Sequence, residues 1–138
     1  MINPNSSFPV FIVQNLDAAK TFYLNHFGFS VAFENDWYLH LISESGIQVG
    51  FLLPDQPTQP DEFQQPYGGN GVIFSVEVDD ADVAYAEVIE KSLEVVLELR
   101  SEDWGQRHFC VKDPNGIHLD IVQAIDATEE YQQGYETE

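Results

Sequence analysis

Two histidines and a carboxylate in the last third of the chain, His108, His118 and Asp120, are the side chains best suited to chemistry. In Ile117 to Val122, apolar Ile117, Leu119 and Ile121 alternate with His118, Asp120 and Val122. A strand with that pattern turns His118 and Asp120 to one face and its apolar residues to the other. In the same way Phe109 and Val111 take the apolar face of Arg107 to Lys112, leaving His108 and Cys110 opposite. The run Trp37-Tyr38-Leu39-His40-Leu41 gives Tyr38 and His40 that same open orientation. Imidazole and carboxylate side by side suit three uses. They can coordinate zinc, iron or manganese; Asp120 can tune His108 or His118 as an acid/base pair; or they can form the hydrogen-bonded polar wall of a ligand cleft. Alternation alone leaves all three open.

Trp37 and Trp104 stand before their respective hairpins, where an indole serves either as a hydrophobic cap or as a platform for a flat or cationic ligand. Arg107 is one of two arginines in a very acidic chain and must find a carboxylate, within the protein or on a ligand. Cys110, the single cysteine, reads as a buried, inert thiol without a disulfide partner. His26 closes a helix, where a cation favours the dipole.

The elements that must position these residues repeat. Val10 to Val13 reads as a strand. A helix follows from Ala18, with Asp17 as N-cap or first-turn acid, Ala19, Phe22, Tyr23 and Phe27 as its stripe, and Gly28 as its stop. Ser30–Phe33, Trp37–Ile42 and Ile47–Leu53 read as strands, the last two joined at Ser45-Gly46. After residues 54–71, a linker with four prolines, the order returns about 65 residues on. It runs as strand Val72–Val78, a helix from Asp79-Asp80 with Val83, Ala86 and Ile89 as its stripe, and strand Leu93–Leu99. A hairpin of Arg107–Lys112 and Ile117–Val122 closes the repeat. Modules 8–53 and 72–123 thus build one domain, 1–125. The acidic tail 126–138, with Asp126, Glu129, Glu130, Glu136 and Glu138, lacks an apolar stripe and is expected to be mobile or loosely docked.

Twenty-four acidic residues against five basic ones give a formal net charge of −19. Such a field repels nucleic acid and anionic bilayers and attracts cations; it also serves solubility or life in salt. No apolar run reaches the ~20 residues of a membrane helix. With no leader-like start and one cysteine, the chain is expected to be cytoplasmic. It holds no nucleotide-binding glycine loop, nucleophile elbow or zinc-finger spacing.

The phrases Asn15-Leu16-Asp17-Ala18-Ala19-Lys20-Thr21-Phe22-Tyr23 and Phe27-Gly28-Phe29 resemble the first helix of the vicinal oxygen chelate superfamily, the glyoxalase, bleomycin-resistance and extradiol-dioxygenase group. Trp104-Gly105-Gln106-Arg107-His108-Phe109, followed by Asp113-Pro114-Asn115-Gly116, resembles its last hairpin. The opening Phe8-Pro9-Val10 and the Trp-Gly-Gln-Arg phrase look most like the bleomycin-resistance branch. The resemblance implies an α+β fold of tandem βαβββ modules in a curved mixed sheet, with helices outside, a concave cleft inside and a homodimeric assembly. It also implies four metal-ligand positions, which fall here on Phe8, Gly50, Ile73 and Asp120. Only Asp120 can coordinate through its side chain. The expected function is therefore metal-independent binding of a small organic molecule, cationic or aromatic, with no cofactor. Trp37, Tyr38, His40, Trp104, Arg107, His108 and Asp120 are its candidate contacts. The alternative is a glyoxalase-like lyase or isomerase, or a dioxygenase, using a non-standard metal or acid/base site drawn from His40, His108, His118 and Asp120.

Overall fold

The computed structural model describes residues 1–135; Glu136 and Glu138 of the acidic tail lie outside these. Two compact units emerge. The first is residues 1–70 with Pro114–Gly116, and the second is Gly71–Asp113 with the chain from Ile117 onward.

The first unit runs β1 (Val10–Ile12), α1 (Leu16–His26), β2 (Phe29–Glu34), β3 (Tyr38–Ser43) and β4 (Gln48–Leu52). Its sheet order is β1-β4-β3-β2, with β1 and β4 parallel and the other pairs antiparallel. A parallel pair needs a crossover, and α1 with the β2–β3 hairpin supplies it. Asn15 is the N-cap, accepting from the Ala18 amide at 2.9 Å, so Asp17 takes the first-turn role. Ala19, Phe22 and Tyr23 of α1 pack on Phe29, Leu39, Leu41, Val49 and Phe51, all buried.

The second unit repeats the plan with β5 (Phe74–Glu77), α2 (Ala81–Glu90), β6 (Glu94–Glu102), β7 (Gln106–Lys112) and β8 (His118–Ala124), in sheet order β5-β8-β7-β6. Asp80 caps α2 as Asn15 caps α1. The α+β class and the duplicated βαβββ order are as expected. Strand pairing, however, runs within each module as two four-stranded mixed sheets, not as one continuous sheet.

The expected stripe of α2 is a misreading. Val83 and Ile89 are 57% and 54% exposed, and Ala86 is exposed with them. The buried stripe is Ala81 and Val88, with Tyr85 edge-on to Phe109 at 5.1 Å. Both stripes satisfy the helical period. The buried one wins because small Ala81 admits close approach to the sheet and Tyr85 brings a large ring to Phe109. Accordingly, Val88→Ala is expected to cost about 2 kcal/mol, two methyl groups plus a partly relaxed cavity. Ile89→Ser should stay within about 0.5 kcal/mol. Urea unfolding of the two variants checks the assignment, and equal losses would overturn it.

The tail is anchored more firmly than expected. The Ile125 amide donates to the Gly105 carbonyl and the Thr128 amide to that of Asp103, both at 2.9 Å, and the Tyr135 hydroxyl donates to the Trp104 carbonyl. These carbonyls of the β6–β7 turn have no strand partner, so the tail satisfies them. Gly105 permits this approach: with φ +110°, it lies where a Cβ would stand 3.0 Å from the Ile125 carbonyl oxygen.

Candidate functional site

In each module the helix covers one sheet face, and the side chains of interest stand on the other. On β3, Leu39 and Leu41 are buried under α1, which turns Tyr38 and His40 to the open face. The Tyr38 hydroxyl lies 2.7 Å from His40 Nδ1, and His40 Nε2 lies 2.7 Å from Gln48 Oε1 on β4. The Phe8 ring meets the His40 imidazole edge-on at 4.6 Å. Burial pushes the Tyr38 phenol above its ordinary pKa, so it remains protonated.

Gly50, opposite His40 in the β3–β4 ladder, explains how Tyr38 fits. A Cβ at Gly50 would meet the Tyr38 hydroxyl, standing 3.0 Å from its Cζ and 3.1 Å from Val10 Cγ2. Beside this network lies a cavity of about 540 Å³ lined by Val10, Ile12, Trp37, Tyr38, Leu52 and Phe63, with Gln59. Its wall is largely apolar, and its size is that of a small-molecule site. Val10, Trp37 and Phe63 remain substantially exposed there.

In the second module, His108 is 7% exposed and bridges two carboxylates. Its Nδ1 lies 2.7 Å from Asp120 Oδ1, and its Nε2 lies 2.8 Å from Glu102 Oε2. Carboxylates accept hydrogen bonds, so both ring nitrogens donate and His108 is an imidazolium. Burial alone would lower its pKa, but the bonds to Glu102 and Asp120 outweigh that and raise it. Glu102 is held low by the hydrogen bond from His108, and then by that from Arg100, whose Nε donates to it at 2.7 Å. Burial, followed by the charge of Asp120, raises the half-buried Cys110 thiol, which keeps it protonated and unreactive.

The expected residues therefore separate. Tyr38 and His40 meet, with Trp37 at the cavity wall; His108 and Asp120 meet, and the Trp104 ring sits edge-on to His108 at 6.4 Å. His118 begins β8 opposite Lys112 and takes no part in the His108 bridge. Arg107 does not join the candidate contacts either. It shares the parity of Phe109, faces the helix, and grips Asp82 of α2 through Nε at 3.0 Å and Nη2 at 2.9 Å. That paired fork lowers the Asp82 pKa and answers the choice between an internal and a ligand carboxylate.

Sequence reading missed Glu102, Gln48, Gln59 and Phe63. Gln48 was visible by parity, since it alternates with Val49 and Phe51 and so shares the face of Gly50. Phe63 was visible as one of two aromatic rings, with Tyr67, in an otherwise polar, proline-rich segment. That segment folds back on its own module. A short 3-10 turn, Asp61–Phe63, presents Phe63, and the Tyr67 amide donates to the Ile12 carbonyl at 2.7 Å. The Gln64 side-chain amide ties the loop by donating to the Gln56 and Gln59 carbonyls at 2.8 and 2.7 Å.

Residues 7–121 match the family model for the glyoxalase/bleomycin resistance protein/dioxygenase superfamily. The chain belongs to this superfamily. It is similar to a superfamily member from Sphaerobacter thermophilus, at 23% identity over 89% of this chain and 99% of that one, with a TM-score of 0.71. It is also similar to TnmS3, an antibiotic binding protein from Streptomyces sp. CB03234, at 22% identity over 90% and 98% with a TM-score of 0.67. A bleomycin resistance determinant encoded on the transposon Tn5 shares 16% identity over 88% and 98%, with a TM-score of 0.65. At such identities the structural likeness speaks for the fold. A search of curated proteins found no match.

Membership makes the four metal-ligand positions testable against geometry. Phe8 covers His40, Gly50 gives its side-chain space to Tyr38, and Ile73 is an exposed hydrocarbon. Asp120 accepts from an imidazolium. One engaged carboxylate among four positions is not a donor set that fits a divalent ion.

Proposed function

We propose that this superfamily member is a metal-independent binding protein for a small organic molecule, aromatic or cationic, held in the apolar cavity of its first module. The observation that carries this reading is the cavity itself, about 540 Å³ with Trp37, Tyr38 and Phe63 along an apolar wall. Half-exposed aromatic rings around an apolar floor leave hydration that a flat guest removes. The net charge of −19 favours a guest of positive charge. The lyase, isomerase or dioxygenase reading has less support. Both nitrogens of His108 are spent on carboxylates, so His108 has no lone pair with which to act as a base. A homodimeric, cytoplasmic state is part of the proposal, and sedimentation tests the dimer. Among the described residues no helix is long and apolar enough to cross a membrane.

A guest burying about 250 Å² of apolar surface gains roughly 6 kcal/mol before ordering costs, so Kd is expected to be no tighter than about 0.04 mM. Fluorescence titration with cationic aromatic compounds, bleomycin-type glycopeptides among them, should quench Trp37. Trp37→Phe should lose that quenching, and chelator treatment should leave it unchanged. Absence of quenching and of thermal stabilisation up to about 1 mM would sink the proposal.

A further inference from the structure

The hydrogen-bond directions beside the first-module cavity specify which guests it prefers. The carbonyl oxygen of Gln48 can only accept, so His40 Nε2 carries the ring hydrogen and Nδ1 a lone pair. Tyr38 then donates its single hydroxyl hydrogen to Nδ1. What the phenol keeps for a neighbour is lone-pair density. Gly50 leaves room for the hydroxyl to sit over β4, and the Phe8 edge against His40 holds the imidazole in plane. Gln59, also on the wall, carries an amide that both donates and accepts and so discriminates nothing.

We propose that Tyr38 is a specificity-determining hydrogen-bond acceptor, selecting aromatic guests with a primary ammonium, and that His40 and Gln48 are positioning residues that fix its polarity. This rests on binding at the cavity described above. The ammonium donates an N–H to the Tyr38 oxygen while the rings of Trp37 and Phe63 offer faces to its charge. A guest that can only accept finds no donor in Tyr38. Charge alone is not the criterion: a quaternary ammonium keeps the charge but has no hydrogen to give.

Calorimetric titration of the full chain with three naphthalene probes separates these effects. They are 2-naphthylmethylamine, its N,N,N-trimethyl derivative and 2-(methoxymethyl)naphthalene. The wild type should bind the primary amine about tenfold more tightly than the trimethyl probe, and the ether most weakly. In Tyr38→Phe that tenfold ratio should fall to about one, and in Gln48→Leu, which frees His40 to change tautomer, to about threefold. If the wild type binds none of the three, the cavity reading itself fails. If it binds all three equally, or if Tyr38→Phe keeps the full ratio, the selection by Tyr38 is overturned while the cavity reading stands. Should Tyr38→Phe fail to fold, the Gln48→Leu ratio decides, and a ratio equal to the wild type's overturns the proposal.

Discussion

Replacing His108 by leucine should cost about 3 kcal/mol of stability, the low end for breaking a buried ion pair, because the carboxylates retain some water. The loss has a specific cause: Glu102 and Asp120 would face each other without the imidazolium that now bridges them at 2.8 and 2.7 Å. Arg100 would still pair with Glu102, but Asp120 would lose the imidazolium it now accepts from. The same bridge predicts a pH dependence. The folded-state pKa of His108 is raised above its ordinary 6.5, so its contribution is complete below that value and is lost as the pH climbs through the folded one. Glu102 is lowered from 4.5, so its contribution is complete above that value and is lost as the pH falls through the folded one. Thermal melts of the wild type should therefore peak between about pH 5 and 6.5, with a falling alkaline limb. His108→Leu should lack that limb and recover part of its deficit in acid, as Glu102 takes up a proton. An alkaline limb unchanged in the variant would place the titration elsewhere.

Gly50→Val should cost about 3 kcal/mol, from overpacking plus a lost buried hydrogen bond, and should weaken binding in the first-module cavity by more than tenfold. A Cβ at this position has no space while Tyr38 holds its hydroxyl over β4, with Val10 Cγ2 only 3.1 Å away. A valine there must expel the phenol, break its bond to His40 and push a ring into the cavity. Pairing the substitution with Tyr38→Ala, which removes the obstacle, should recover stability relative to Gly50→Val alone; this double-mutant coupling is the discriminating measurement. If the two losses simply add, the close approach is not what forbids a side chain at residue 50.

Glycine at this position also separates two kinds of information. That Gly50 cannot ligate a metal was plain from its identity. That its missing side chain makes room for a tyrosine came only from the fold. Likewise, strand alternation placed Tyr38 with His40 and His108 with Asp120 on open faces, and both pairs hold. Parity is a one-dimensional property and survives folding intact. Glu102 escaped notice because its partnership depends on where β6 ends relative to β7. The bulges between Val95 and Leu97 and between Leu97 and Arg100 set that register. Arg107 is no candidate contact: its parity with Phe109 turns it to the helix side, where it meets Asp82.

The sequence by itself determined the class of the protein: the duplicated order of elements, the two helices and the alternating strands. Each follows from local periodicity or residue identity, which neighbours in space cannot change. Tertiary structure alone decided which of two stripes on α2 is buried, that the proline-rich segment after β4 lends Phe63 and Gln59 to a cavity, and that His108 is a clamped cation. Those outcomes turn on volume, register and the meeting of charges from separate strands. Of His108, His118 and Asp120, the fold joins the first and last in a bridge with Glu102, and the proposed ligand site lies instead around Tyr38.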